Sequence, residues 1–198
     1  LHLLPGNVCR ADAVPTGGRV LFCQDLQSAP GALIRAGLRY ALPADRAVRP
    51  MSWRLRADIT PIALQMNEGL VIQPLAFLAD DEIVAAACLR KVVGGALFAG
   101  VMIRNKDGLF RERIKGGEKG KIAIETAARW EVELLRIGTR QTTVVLRLND
   151  EIVVRINGDT TSVEPDAVGV GVVHKHSGLQ ITLHVDQLRL TEASRKSG

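Results

Sequence analysis

The stretch Thr143-Val-Val-Leu-Arg-Leu-Asn-Asp-Glu-Ile-Val-Val-Arg-Ile, residues 143–156, decides the fold. Two apolar runs, Thr143–Leu148 and Glu151–Ile156, are separated only by Asn149-Asp150. Asn and Asp tolerate the left-handed backbone of a tight turn, so the stretch predicts an antiparallel hairpin. Period two recurs on either side of it. Trp130, Val132 and Leu134 alternate with Glu131 and Glu133. From Trp53, the residues Trp53, Leu55, Ala57 and Ile59 read as inward, and Arg54, Arg56, Asp58 and Thr60 as outward. Such alternation is the mark of a half-buried strand.

Shorter apolar runs cover Ile83–Leu89 and Gly100–Arg104, and Val168, Val170 and Val172 alternate with glycines. Leu109–Ile114 and Lys121–Thr126 flank the loop Lys115–Gly120, which predicts a hairpin there. Asn157-Gly158 and Ser177-Gly178 are further turn signals, and Asp80-Asp81-Glu82 reads as a solvated turn. Helical evidence is confined to Gly31–Leu42 after Pro30, and Gly37 in its middle weakens it. About eleven to thirteen strands at roughly ten-residue spacing indicate a sandwich or barrel, not a βαβ fold.

Composition agrees. The 198 residues are 46% hydrophobic, 24% charged and 4% aromatic, with a net charge of +5, which suits one globular domain. It excludes a disordered chain, and no run approaches the roughly 18 apolar residues of a membrane span. A start at Leu1 reads as a mature fragment, a processed chain or an excised domain. The positive excess is uneven. Residues 1–60 hold eight basic and four acidic residues, and residues 104–121 hold seven and three. Cys9, Cys23 and Cys88 form no metal-ligand array; Cys9 with Cys23 is the only local pairing, and three reduced thiols is the simpler reading.

The order of a Trp-led strand at Trp130, the hairpin, the Gly-rich Val168-Gly-Val-Gly-Val-Val and the closing Val185-Asp-Gln-Leu-Arg-Leu resembles the concanavalin A-like lectin/glucanase superfamily. Laminin G-like jelly rolls are the nearest type, and the match covers about residues 120–192. The resemblance implies an all-β, antiparallel jelly-roll β-sandwich of two curved sheets, one of them concave. Arg19–Leu26 would supply an opening strand beside the closing one. The expected organisation is a lead-in over 1–18, one domain over 19–192 and a tail over 193–198. It also suggests an extracellular or cell-surface setting.

Glucanases of that superfamily carry carboxylates spaced as Glu-x-Asp-x-x-Glu on one strand, where an acid and a nucleophile about 5 Å apart support a retaining mechanism. The nearest approach is Glu131-Val-Glu133, which lacks the third member and reads equally as an outward-facing pair. The resemblance further implies a structural calcium held by Asp186 of the closing strand and Asp25 of the opening one, although Gln187 replaces the second Asp of the usual motif. Two solvated carboxylates are the alternative, and no other cofactor is expected. His174, His176 and His184 invite a zinc reading. A two-residue turn at Ser177-Gly178 would set His184 on the opposite face from the other two. Arg104, Lys106, Arg111, Arg113, Lys115, Lys119 and Lys121 form a candidate polyanion patch, for which a solvated edge is the plainer account. The Lys115–Lys121 segment lacks the spacing of a phosphate loop.

With no complete catalytic motif and few aromatics for stacking sugars, the expected function is a non-catalytic binding or interaction module whose partner is a carbohydrate or another protein. A glycan-active hydrolase on the same scaffold is the first alternative and a polyanion-binding basic module the second; nucleic acid is not expected as a partner.

Overall fold

The computed structural model describes residues 2–3, 9–13, 19–25, 35–42, 52–65, 71–137, 141–158, 164–174 and 179–192. In chain order the strands are β1 (His2–Leu3), β2 (Cys9–Ala13), β3 (Arg19–Asp25), β4 (Arg35–Ala41), β5 (Ser52–Gln65), β6 (Val71–Ala79), β7 (Glu82–Lys91) and β8 (Leu97–Arg104). They continue with β9 (Phe110–Ile114), β10 (Lys121–Ile122), β11 (Ala128–Ile137), β12 (Gln141–Leu148), β13 (Glu151–Gly158), β14 (Ala167–His174) and β15 (Leu179–Glu192). All pairings are antiparallel and form two sheets, a jelly-roll β-sandwich. The first runs β1-β4-β14-β6-β7-β8, with β9 and β10 both on the free edge of β8. The second runs β13-β12-β11-β5-β15-β3-β2. No helix among the described residues is long and apolar enough to cross a membrane.

The core lies between the sheets, where period-two alternation sends one side of each strand. Trp53, Leu55, Ala57 and Ile59 of β5 meet Trp130, Val132 and Leu134 of β11 and Val144 and Leu146 of β12. Ile72, Leu75, Phe77, Ala85, Ala87, Leu89, Val101 and Ile103 close it from the first sheet. The hairpin at Asn149-Asp150 forms as the sequence predicts. Its two central residues have φ of 51° and 69°, the left-handed pair that matches strand twist. Asp80-Asp81, with φ of 49° and 62°, is a second such turn, joining β6 to β7. Arg19–Asp25 does pair with the closing strand β15.

Four local expectations are corrected. Gly31–Leu42 is not a helix where described: Arg35–Ala41 is a strand flanked by β1 and β14, so tertiary pairing overrides a weak helical pattern. The segments flanking Lys115–Gly120 do not pair with each other. Both pair with β8, Ile114 opposite Gly100 and Lys121 opposite Phe98, so the loop leaves and rejoins one edge. A Cβ at Gly120 would collide with the Lys115 carbonyl, which explains glycine where that loop closes on itself. Asn157-Gly158 continues β13 and is not a turn; Gly158 admits Ile103, whose Cδ1 would lie 3.0 Å from an added Cβ. Finally, β14 and β15 belong to different sheets, so no hairpin joins them. Ser177-Gly178 and His176 lie outside the described residues. Within the expected lead-in, β1 and β2 each add a strand to a sheet.

Candidate functional site

Glu131 and Glu133 sit on β11, between β5 and β12, on the outer face of the second sheet. Glu131 stands opposite Arg56 and Arg147, and Glu133 opposite Arg54 and Val145. Arg54 reaches Glu133 Oε1 with Nε at 2.8 Å and Nη2 at 2.5 Å, and its Nε lies 3.4 Å from Glu131 Oε1. Arg147 places Nε 3.2 Å from Glu131 Oε1 and Nη2 3.3 Å from Glu133 Oε2. The two carboxylates are only 6% and 3% exposed. Their oxygens are directed into guanidinium donors, the pattern of a ladder tying three strands together.

The basic residues of 104–121 separate into two groups. Arg111 Nη1 donates to the Asn157 carbonyl at 3.1 Å and Arg113 Nη1 to the Arg155 carbonyl at 3.2 Å. Both stitch the edge of the first sheet to β13 of the second. Lys119 and Lys121 instead border a cavity of 350 Å³, lined also by Asn149, Glu151, Ile122 and Val153. Their ion pairs are long and exposed, Lys119 to Glu151 at 3.8 Å and Lys121 to Glu118 at 3.5 Å. Arg104 is half-buried, whereas Lys106 and Lys115 are exposed.

Asp25 and Asp186 are not brought together. Asp25 pairs with Leu179 at one end of the β3–β15 ladder, and Asp186 lies beyond its other end. That separation is about 24 Å along the strand at ~3.4 Å per residue. Asp186 Oδ1 accepts the Gln187 N–H at 2.7 Å, and the residue opposite Asp186 on β5 is Asp58. The pair does not fit a single calcium ion, and no group of three or more metal-ligating residues occurs among the described residues. Asp186 and Gln187 border a cavity of 220 Å³ with Leu38, Tyr40 and Val170. His174 pairs with Arg35 in the first sheet and His184 with Thr60 in the second, so the sandwich separates them by layer.

The outer face of the first sheet is not a polar groove where it is described. Ala76, Leu78, Ile83, Ala86 and Ala167 form a second apolar cluster, none more than 1% exposed, with Met102 packed against it. Cys88 is buried too, and burial pushes its thiol pKa well up, Glu112 adding to the rise and Arg90 opposing it. Beside this cluster Gln73 donates from Nε2 toward Met102 Sδ at 3.7 Å, and Arg90 is bound to Glu112. Ion pairs occur on both outer faces: Arg39 Nε lies 2.8 Å from Asp81 Oδ1 on the first sheet, and Arg54 and Arg147 hold Glu131 and Glu133 on the second. Sequence reasoning did not group Arg54, Arg56, Arg147 and Arg189, because alternation gives a face but not which strands lie side by side.

No protein-family model matches the chain, and no curated protein does. Solved structures share the fold. An alginate lyase from Klebsiella pneumoniae superposes with a TM-score of 0.67 at 11% identity, covering 94% of this chain and 85% of that one. An endo-beta-1,4-glucuronan lyase from the fungus Trichoderma reesei gives 0.66 at 7% identity, covering 97% and 90%. The family 7 alginate lyase A1-II′ gives 0.59 at 13%, covering 92% and 83%. At such identities the likeness is one of fold, a jelly-roll β-sandwich over nearly the whole chain and not only over residues 120–192. The expectation of a non-catalytic module is corrected by these matches: the similar structures named are polysaccharide lyases, which backs the glycan-active alternative better than a binding module.

Proposed function

We propose that the protein is a glycan-active enzyme of the polysaccharide lyase type, acting on an acidic polysaccharide of uronic acid units. The observation that carries this reading is the match of the whole sandwich to an alginate lyase and a glucuronan lyase. The basic balance of the chain, +5, is of the sign that attracts such a polymer. In the reaction a base takes the proton alpha to the uronate carboxylate and the electron pair forms a carbon–carbon double bond. The glycosidic C–O bond beyond it breaks, and the departing oxygen is protonated. The protein must supply a cation to offset charge building on the carboxylate, and a proton acceptor close to it. The laminin G-like resemblance of residues 120–192 concerns the sandwich and not this chemistry.

The test is incubation with alginate, polyglucuronate and a neutral glucan, following the ultraviolet absorbance of the unsaturated product. Absorbance should rise on an acidic polymer and stay flat on the glucan. No rise on any uronate polymer, at substrate and protein levels where a control lyase is active, would refute the reading.

A further inference from the structure

The terminal strands of a sandwich carry unpaired N–H and C=O groups, which template pairing with another chain unless something covers them. On one side of this molecule the first sheet ends, among the described residues, in two short pieces set end to end along β8: β9 of five residues and β10 of two. The second sheet ends on the same side in β13, with Gly158 packed against Ile103 of β8. This strand is eight residues of Glu-Ile-Val-Val-Arg-Ile-Asn-Gly, and its Ile152 is exposed. A terminal strand of that length, rich in β-branched residues, is one that recruits another.

Two features blunt it. The register with β12 slips where Leu146 meets Val154 and Arg147 meets Ile152, so Val153 is an extra residue and the first half of β13 is bulged. From Val154 to Gly158 the ladder runs regularly, and here the arginines of β9 attach. Arg111 Nη1 donates to the Asn157 carbonyl at 3.1 Å and Arg113 Nη1 to the Arg155 carbonyl at 3.2 Å. The two arginines stand directly opposite the core residues Ile103 and Val101, which puts them on the side of β9 that faces the second sheet. Carbonyls two residues apart on a strand point the same way. Donors that arrive from the first sheet, and not from β12, mark that way as the free edge of β13. Charge pairing does not account for the contact. Glu112, between the two arginines in sequence, stands opposite Met102 on the other side of β9 and is bound to Arg90.

We infer that the free edge of β13 is a strand-pairing surface for a second copy of this chain, and that Arg111 and Arg113 hold it shut. Each guanidinium occupies an acceptor that an added strand would need. Each also sets a charge before the edge, and covering that charge with another strand costs more than a backbone hydrogen bond returns. The fitting partner is a second copy because its β13 offers the same edge, and antiparallel pairing about a two-fold axis makes like edges self-complementary. The device concerns assembly and is independent of the reaction proposed above.

Size-exclusion chromatography with light scattering, over a range of protein concentration, tests this on wild type, R111Q/R113Q, R155P and R111Q/R113Q/R155P. Glutamine keeps the surface polar but is too short to reach the β13 carbonyls. R111Q/R113Q should run heavier than wild type, reaching at least the dimer mass, with the circular dichroism of a folded β protein. Arg155→Pro removes a backbone N–H that points along the free edge and that β12 does not use, so R155P alone should keep the wild-type spectrum and mass. Added to the double variant, it should restore the wild-type mass, because proline bars strand addition. Association of a merely loosened protein would instead persist or grow. Wild-type mass for R111Q/R113Q, association that survives R155P, or loss of fold in R155P alone overturns the inference.

Discussion

Glu133 is 3% exposed and carries a carboxylate, a combination tolerated only because two arginines close around it. Removing one member leaves the others without partners in a poorly solvated place. Glu133→Ala should therefore cost about 2 kcal/mol, discounted from a fully buried pair because the Arg54 side chain is 40% exposed. Chemical denaturation read by fluorescence checks this, and an unchanged midpoint would show the ladder to be ornamental to stability. Cys88 is a simpler case. Burial raises its thiol pKa, so Cys88 is not a reactive thiolate near neutral pH in the folded protein, and alkylation at Cys88 should appear only with denaturant. The sign of the linkage follows. The unfolded thiol ionises before the folded one, so the contribution of Cys88 to stability is full below the ordinary thiol range and declines as pH rises through it.

The hairpin β12–β13 shows what a short element can specify. Asn149 holds a φ of 51° while its Oδ1 accepts the Arg129 N–H at 2.9 Å and its own N–H donates to the Arg129 carbonyl at 2.9 Å. It thus fixes both the turn and its docking on β11, and Asn149→Ala should cost about 1–2 kcal/mol through left-handed strain and the lost acceptor. Thermal melting measures it; a change within error would mean that the turn does not set the register. This element was legible in the sequence because its signal is local: two residues that accept positive φ between two apolar runs. The Trp53–Thr60 alternation was legible for the same reason. The return of β9 and β10 to one edge of β8, the separation of β14 from β15 and the Arg54–Glu133–Arg147 ladder were not, since each depends on which distant strands adjoin. Cys9 and Cys23 stand between these cases. They are directly opposite in the β2–β3 ladder, a register that local spacing suggests but only strand pairing fixes.

At the scale of the molecule the two outer faces differ in how far their described residues are packed. Every residue of β6, Val71 to Ala79, is buried, and so is the central run of β7, so these strands show no alternation and read in the sequence only as apolar runs. The second sheet instead turns arginines outward together with Asp58, Glu131, Glu133 and Asp186. Ala86, fully buried in the apolar cluster, cannot accept a carboxylate without an unpaired buried charge, and Ala86→Asp should cost about 3 kcal/mol or more. Were that face an open groove for sugar, the same substitution would leave the melting temperature nearly unchanged and alter only binding.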